Sequence, residues 1–373
     1  MKDGPTVAYV GTMGIPSRYG GFETFVEEIA TRLSKIGIRC VVYSTSTTNQ
    51  ASHDAPPNIT LRRVPQIGWP PLDRILREAY PLLDQLYRPA DVVHILASSL
   101  FSPAWRLAGK RIVVSIDGFE WRRRSYNPLT RFLALLAYVM ALTYSNEITC
   151  DSRIMAEWVR LVFRRDARVI SYGTRPETKL SKDEVQQFAS AHGLSYGEYY
   201  LFVGRLVPEK GVRLLVKAFS KHPDKALAIV GFDPFGGRFE RELRKMATPN
   251  VKFLGGMYGR DYILVSLGAL AQIRSALDES EGVNPVTIEA MGFGLPIIAS
   301  NVRQNREALG DCAVYFDANS ERTLHEAIEK VHSSDDFRRR LGENAKRRAL
   351  DQYSWDASVR ELVSTYHSVS DCE

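Results

Sequence analysis

Short apolar runs rich in Val, Ile and Tyr alternate with stretches of helical periodicity along this chain, and the alternation begins again near its middle. A strand that is apolar along its whole length must be covered on both faces, as happens when helical crossovers join parallel neighbours. The pattern predicts two α/β units, each a parallel sheet between helices. Strands are expected at 6–10, 38–43, 91–96, 111–116 and 168–171, then at 199–204, 226–231, 250–254, 296–299 and 313–316. Between the first two, Phe22, Phe25, Val26, Ile29, Leu33 and Ile36 recur at helical spacing and Gly37 stops the run, so the chain opens as β-α-β.

A chain of 373 residues has room for about two cores. The expected division is an N-terminal unit at 1–175, a C-terminal unit at 176–355, and a closing helix at 356–373, with the polar stretch 174–197 as linker. Over 353–367, Trp355, Val359, Leu362 and Tyr366 share one side of an amphipathic helix, which either caps the second unit or crosses back to the first. Cys40, Cys150, Cys312 and Cys372 are scattered, with no Cys-x-x-Cys or Cys/His pairing, which reads as reduced thiols and no metal site. The N-terminal residues lack the apolar core and cleavage site of a signal peptide. The longest apolar stretch, 132–144, has 13 residues, short of the roughly 20 that span a bilayer. The chain reads as cytoplasmic.

Charge is uneven. Residues 1–175 carry 23 Lys/Arg against 15 Asp/Glu, a balance of +8, while the remainder has 26 against 28. A basic first half suits an anionic membrane at the inner face of the cell membrane, a pyrophosphate-linked acceptor, or a solvated surface without a partner. No nucleic-acid module accompanies it, so no nucleic acid is expected. The apolar stretch 132–144 follows Arg122–Arg124 and fits either a helix lying on a membrane or one packed on the sheet; its apolar residues run nearly all round, which favours burial.

Residues 281–300 join a loop carboxylate, Glu281, to a helical one, Glu289, eight positions on. Asn284 is a good N-cap and Pro285 suits the first helical position, so the helix should begin there with free N–H groups toward the loop. That end attracts anions. Two acceptors beside one phosphate-binding helix end suit a nucleotide sugar. The loop 204–211 is bracketed by glycines and carries Arg205 and Lys210, a planar fork and a point charge able to converge on one diphosphate. The loop 11–21 has four glycines, lacks the dinucleotide fingerprint and ends in Gly20-Gly21 at the first helix. Beyond the strand 111–116, Asp117 is placed to take an acceptor proton, to steady positive charge, or only to cap the loop; Glu120 is the alternative carboxylate. Trp121 and Arg122 suit an acceptor sugar and its phosphate. His94 reads as a packed residue.

The run Glu281-Gly-Val-Asn-Pro-Val-Thr-Ile-Glu289-Ala-Met, continued by Gly-Leu-Pro, resembles the Glu-x7-Glu signature of the retaining GT-B glycosyltransferases of family 4. Gly-Phe-Glu-Thr-Phe, Asp-Gly-x-Glu-Trp and Asn-Pro-x-x-x-Glu-Ala-Met together look like a bacterial subgroup that includes rhamnosyltransferases of polysaccharide assembly. The resemblance spans nearly the whole chain. It implies two Rossmann-like domains facing each other across a cleft, with the acceptor on the first and the nucleotide sugar on the second.

The resemblance also implies roles. Glu289 would hold the ribose and Glu281 the donor sugar, with Gly282, Val283 and Asn284 between them. Arg205 and Lys210 would neutralise the leaving diphosphate, and Gly20 and Gly21 would sit against the donor. Arg18, Tyr19, Trp121 and Arg122 are the acceptor candidates; Asp117, Glu281 and Glu120 are the catalytic ones. Many family 4 members have a His where this chain has Asp117. The expected activity is metal-independent, cofactor-free transfer of a sugar, rhamnose first, from a dTDP-, UDP- or GDP-sugar to a glycan or lipid-linked acceptor. A nucleotide-sugar epimerase and an inactive sugar-nucleotide-binding subunit are the rival readings.

Overall fold

The computed structural model describes residues 4–17, 20–45, 56–174 and 180–370. They form two compact units. The first holds the chain up to Trp121, Pro128–Tyr172 and everything from Trp355 onward; the second holds Arg122–Asn127 and Gly173–Ser354.

In the first unit seven parallel strands run in the order β3-β2-β1-β4-β5-β6-β7. They are β1 (Val7–Val10), β2 (Cys40–Ser44), β3 (Ile59–Arg63), β4 (Val92–Leu96), β5 (Ile112–Ile116), β6 (Glu147–Cys150) and β7 (Arg168–Val169). Its helices are α1 (Gly21–Lys35), α2 (Pro70–Tyr87), α3 (Ser102–Leu107), α4 (Pro128–Tyr144) and α5 (Arg153–Phe163). Every residue of β1, β2, β4 and β5 is buried, because helices cover both faces of the sheet. Phe25, Val26, Ile29 and Leu33 of α1 pack on one face. Trp105 of α3, Tyr138 of α4 and Val159 of α5 pack on the other.

The second unit has six parallel strands in the order β10-β9-β8-β11-β12-β13. They are β8 (Tyr199–Val203), β9 (Ala226–Val230), β10 (Val251–Gly255), β11 (Ala271–Arg274), β12 (Ile297–Ser300) and β13 (Val314–Phe316). Its helices are α6 (Lys182–Ala191), α7 (Val212–Ser220), α8 (Arg238–Met246), α9 (Gly259–Leu267), α10 (Pro285–Gly292), α11 (Arg303–Leu309), α12 (Glu321–His332) and α13 (Asp335–Gln352). Leu215, Phe219, Leu243 and Ile328 close one face of the sheet. Ala189, Val265, Ile288 and Ala345 close the other.

The last helix, α14 (Trp355–Ser370), belongs to the first unit. Its Trp355, Val359, Leu362, Tyr366 and Val369 are buried with the side chains of α1. Burying an aliphatic side chain such as Leu362 favours the packed state by about 1.5–3 kcal/mol before ordering costs. A polar chain adds direction: Tyr366 Oη lies 3.0 Å from Tyr9 Oη and 2.7 Å from His94 Nδ1, and His94 Nε2 lies 2.7 Å from Ser115 Oγ. Complete burial pushes His94 down to about 3, so its imidazole is neutral in the fold.

Three expectations need correction. The polar stretch 174–197 holds α6, whose Ser181 and Glu184 form a reciprocal capping box and whose Val185 and Ala189 are buried. Strands β3, β6 and β11 were not expected, since Arg62 and Arg63, Glu147, and Gln272 and Arg274 break their apolar runs. The stretch 132–144 is not buried all round: Ala134, Ala137, Tyr138, Ala141 and Leu142 of α4 face the core while Phe132, Leu133 and Leu135 are exposed.

Candidate active site

In an open parallel sheet the connections diverge where one strand has neighbours reached in opposite directions, and ligands bind beyond the carboxyl ends there. In the second unit that point lies between β8 and β11, which are adjacent although far apart in sequence. The loops leaving both strands carry charge and are tied together. Ser275 Oγ donates to Lys210 O at 2.7 Å, and Leu277 N donates to Glu209 O at 2.9 Å. Gly211 has φ +69°, and a Cβ there would lie 1.9 Å from Ser275 O, so only glycine lets the two loops approach this closely.

This approach places Lys210 Nζ 2.7 Å from Glu281 Oε1 and 2.8 Å from Oε2. From the end of β11, Arg274 Nη2 reaches the same Oε2 at 2.5 Å. Lys210 and Arg274 are each 4% exposed. Burial would raise the Glu281 carboxyl, but Lys210, Arg274 and Arg205 outweigh it and hold the group well below the usual carboxylate range. Burial also lowers Lys210, to about 7; Glu281 opposes that shift while Arg274 and Arg205 add to it. The ionised carboxylate is thus shared among crowded cations, two of which have been taken out of water. Arg274 Nε and Nη1 are buried with no hydrogen-bond partner among the described residues. A site with surplus positive charge and unspent donors is suited to a polyanion.

Glu281 leads through Gly282 and Val283, both buried, to Asn284. Asn284 Oδ1 accepts from Val286 N at 2.9 Å and caps α10, with Pro285 as its first residue. Glu289 is 6% exposed inside α10. The short segment Arg122–Asn127, grouped with the second unit, adds Ser125 Oγ donating to Glu209 Oε1 at 2.8 Å and Arg124 Nε 3.0 Å from Asp278 Oδ2. Arg122 is grouped with these loops rather than with the first sheet.

The first unit has its own point of divergence, at β1 between β2 and β4. The glycine loop after β1 is held by Glu23, which is buried and accepts from Met13 N at 2.9 Å. Gly20 is extended at the N-cap of α1 and Gly21 begins the helix. A Cβ on Gly14, at φ +95°, would lie 2.3 Å from the Ser44 side chain, so close packing on β2 already accounts for that glycine. Asp117 follows β5 and is half-buried. Glu120 Oε2 accepts from Ser98 Oγ at 2.8 Å. Trp121 packs edge-on against Tyr138 at 4.6 Å between centroids and also meets Phe119 and Trp158, so its ring is taken up by an aromatic cluster. Arg18 and Tyr19 lie outside the described residues.

Structure therefore brings Arg205, Lys210, Glu281–Asn284, Glu289 and Arg122 into one unit, and Gly20, Gly21, Asp117, Glu120 and Trp121 into the other. It adds Arg274, which sequence reasoning missed because β11 itself was not recognised. A charged residue closing a short strand-like run was the available signal. Among the described residues no cluster of three or more His, Cys, Asp or Glu side chains is arranged to hold a metal ion.

The chain matches the Glycosyltransferase Family 4 family over residues 19–178 and the family of Glycosyl transferases group 1 over residues 187–348. The O-antigen chain mannosyltransferase C of Escherichia coli is 23% identical over 368 residues, covering 94% of this chain and 95% of that protein. Spore coat protein SA of Bacillus subtilis is 27% identical over 205 residues, 51% of this chain and 53% of that protein, so the chain spans about half the length of that relative. Among solved structures, Anabaena Alr3699/HepE in complex with UDP-glucose has a TM-score of 0.79 at 16% identity, covering 98% of this chain and 100% of that one, a likeness of fold. The two Rossmann-like units have the GT-B architecture, the first resembling the Glycosyltransferase Family 4 domain and the second the glycosyl transferases group 1 domain.

Proposed function

We propose that this protein is a retaining glycosyltransferase that moves a sugar, rhamnose first, from a nucleoside-diphosphate donor to a glycan or lipid-linked saccharide in cell-surface polysaccharide synthesis. The observation that carries the reading is the buried meeting of Lys210 and Arg274 on Glu281, between loops at adjacent strand ends in the second unit. The O-antigen mannosyltransferase relative supports the class of pathway, and the complex of a fold neighbour with UDP-glucose supports the class of donor.

In this reading the diphosphate sits on Arg205, Lys210, Arg274 and the N-terminal end of α10, and these cations supply the positive charge that other transferases draw from a metal. Glu289 holds the ribose hydroxyls, and Glu281 orients the donor sugar beside Gly282, Val283 and Asn284. The bond from anomeric carbon to diphosphate oxygen breaks through an oxocarbenium-like state. The acceptor oxygen forms its bond on the same face, and its proton passes to the departing phosphate. Asp117, with Glu120 as the second carboxylate, steadies the positive ring or the acceptor hydroxyl. Arg18, Tyr19, Arg122 and, despite its packing, the edge of Trp121 remain the acceptor groups. The protein works in the cytoplasm, and the basic first unit meets the inner face of the membrane, where a lipid-linked acceptor is presented.

Incubation with dTDP-, UDP- and GDP-sugars and a lipid-linked acceptor tests this, with the product anomer read by NMR. Transfer with retention is expected, lost in K210A and E289A. Full turnover in both variants, or an inverted product, would overturn the assignment.

A further inference from the structure

Two helices of the first unit leave several large apolar side chains in solvent. On α2 the face toward the sheet is mixed: Tyr80 and Leu82 pack on the core, while Glu78 accepts from Ser99 Oγ at 2.6 Å, Asp84 accepts from Tyr43 Oη at 2.5 Å and pairs with Arg62, and Gln85 donates to Tyr43 Oη at 3.0 Å. Among the side chains left in solvent are Ile75, Leu83, Leu86 and Tyr87, the last 86% exposed. A surface helix ordinarily turns charged and polar residues to solvent. On α4 Ala134, Ala137, Tyr138, Ala141 and Leu142 face the core while Leu129, at 67% exposed, and Phe132, at 61%, point away from it. Both helices cover the same face of the sheet, since Tyr80, Trp105 and Tyr138 share one core cluster, and Lys110 Nζ ties the end of α3 to Gln85 O of α2 at 2.7 Å.

We propose that the outer faces of α2 and α4 form the surface by which this protein lies on an anionic lipid bilayer. Charge selects that occupant. Neither α3 nor α4 contains an Asp or Glu. Each carboxylate of α2 is already engaged, Asp73 by Ile67 N and Gly68 N, and Glu78 and Asp84 as above. The exposed ions left around the apolar side chains include Arg74 and Arg88 at the two ends of α2 and Arg106 on α3. Apolar helix faces fringed by arginine match a headgroup layer, where the apolar side chains enter the acyl boundary and the cations stay with phosphate. No described helix is long and apolar enough to cross a membrane, so the contact is with the surface. This inference deepens the membrane contact proposed above and rests on it, while owing nothing to the identity of the sugar.

The test is cosedimentation of the full chain with vesicles of phosphatidylcholine alone and of phosphatidylcholine mixed equally with phosphatidylglycerol. Binding to the anionic vesicles is expected to be at least about tenfold tighter and to fall with salt. The double variants L83E/L86E and L129E/F132E should each weaken it about tenfold or more. Because these side chains are exposed, melting temperature and turnover of a water-soluble acceptor should stay as in the parent. R74E/R88E, which leaves the apolar faces intact, should remove the preference for anionic lipid. Equal partition of parent and variants, or no vesicle binding by the parent, overturns the proposal. So does a dimer in analytical ultracentrifugation that the same variants dissociate, which would give this face to a second copy. Vesicle binding without turnover on any donor would sink the transferase reading alone; turnover without vesicle binding would sink this one alone.

Discussion

Arg274 and Glu281 stand seven residues apart in the chain and meet through Nη2 and Oε2 at 2.5 Å, the arginine closing β11 and the glutamate opening the path to α10. Because Lys210 grips the same carboxylate, removing Arg274 leaves Glu281 partnered but one cation poorer. R274M should lower stability by about 1–3 kcal/mol in urea denaturation. It should weaken a nucleoside diphosphate by about tenfold or more while changing nucleoside binding little. Unchanged diphosphate affinity in calorimetry would show that the arginine serves only the fold.

Lys210 ties donor affinity to pH. Its ammonium is held down to about 7, so near neutral pH the free protein carries it only partly charged. A bound diphosphate favours the charged form, so binding should draw in protons above pH 7, and affinity should fall by up to about tenfold per pH unit there. For folding the sign is separate. Above pH 7 and below the ordinary lysine value the unfolded chain holds the proton that the folded chain releases, so this group makes stability rise with pH in that window. Calorimetry in buffers of different ionisation enthalpy reads the proton count; no uptake would contradict the coupling.

Gly211 is the backbone condition for the site. G211A combines a left-handed φ with a Cβ 1.9 Å from Ser275 O, so the two loops must separate. A loss of about 2 kcal/mol or more in stability is expected, with donor binding falling alongside. G109A, also at positive φ but with open space around it, is the control for φ alone.

The anchoring of α14 predicts acid sensitivity. His94 is neutral in the fold, with a value depressed to about 3. The unfolded chain takes up a proton below its ordinary value of about 6.5, so stability from this group is present above that pH and is lost as pH falls toward 3. Y366F removes the hydroxyl shared by Tyr9 and His94 and should cost about 1–3 kcal/mol. Thermal melts at pH 7 and pH 5 check both; identical melts for Y366F and parent would exclude the polar chain as an anchor.

Legibility followed how local the physics was. The central strands could be seen because burial on both faces leaves an unbroken apolar run, as in β1 and β8. The edge strand β3, apolar on one side only, and β11, which carries Gln272 and Arg274 into the interior, left no such run. Asn284 and Pro285 could be placed because capping depends on neighbours within a turn. The outward stripe of α2 was invisible, since periodicity reports that one face is apolar and says nothing about which way it turns.

By itself the amino-acid order determined two parallel α/β units, the start of α10, and the Arg205, Lys210, Glu281 and Glu289 candidates, all consequences of spacing along the chain or of motif resemblance. Only the tertiary structure decided that Arg274 joins Lys210 on Glu281, that α14 returns to the first unit, and that α2 and α4 keep apolar side chains in solvent. Those depend on which strands lie side by side and which helix face the sheet receives, and such pairings over long separations are settled by the packing of whole units.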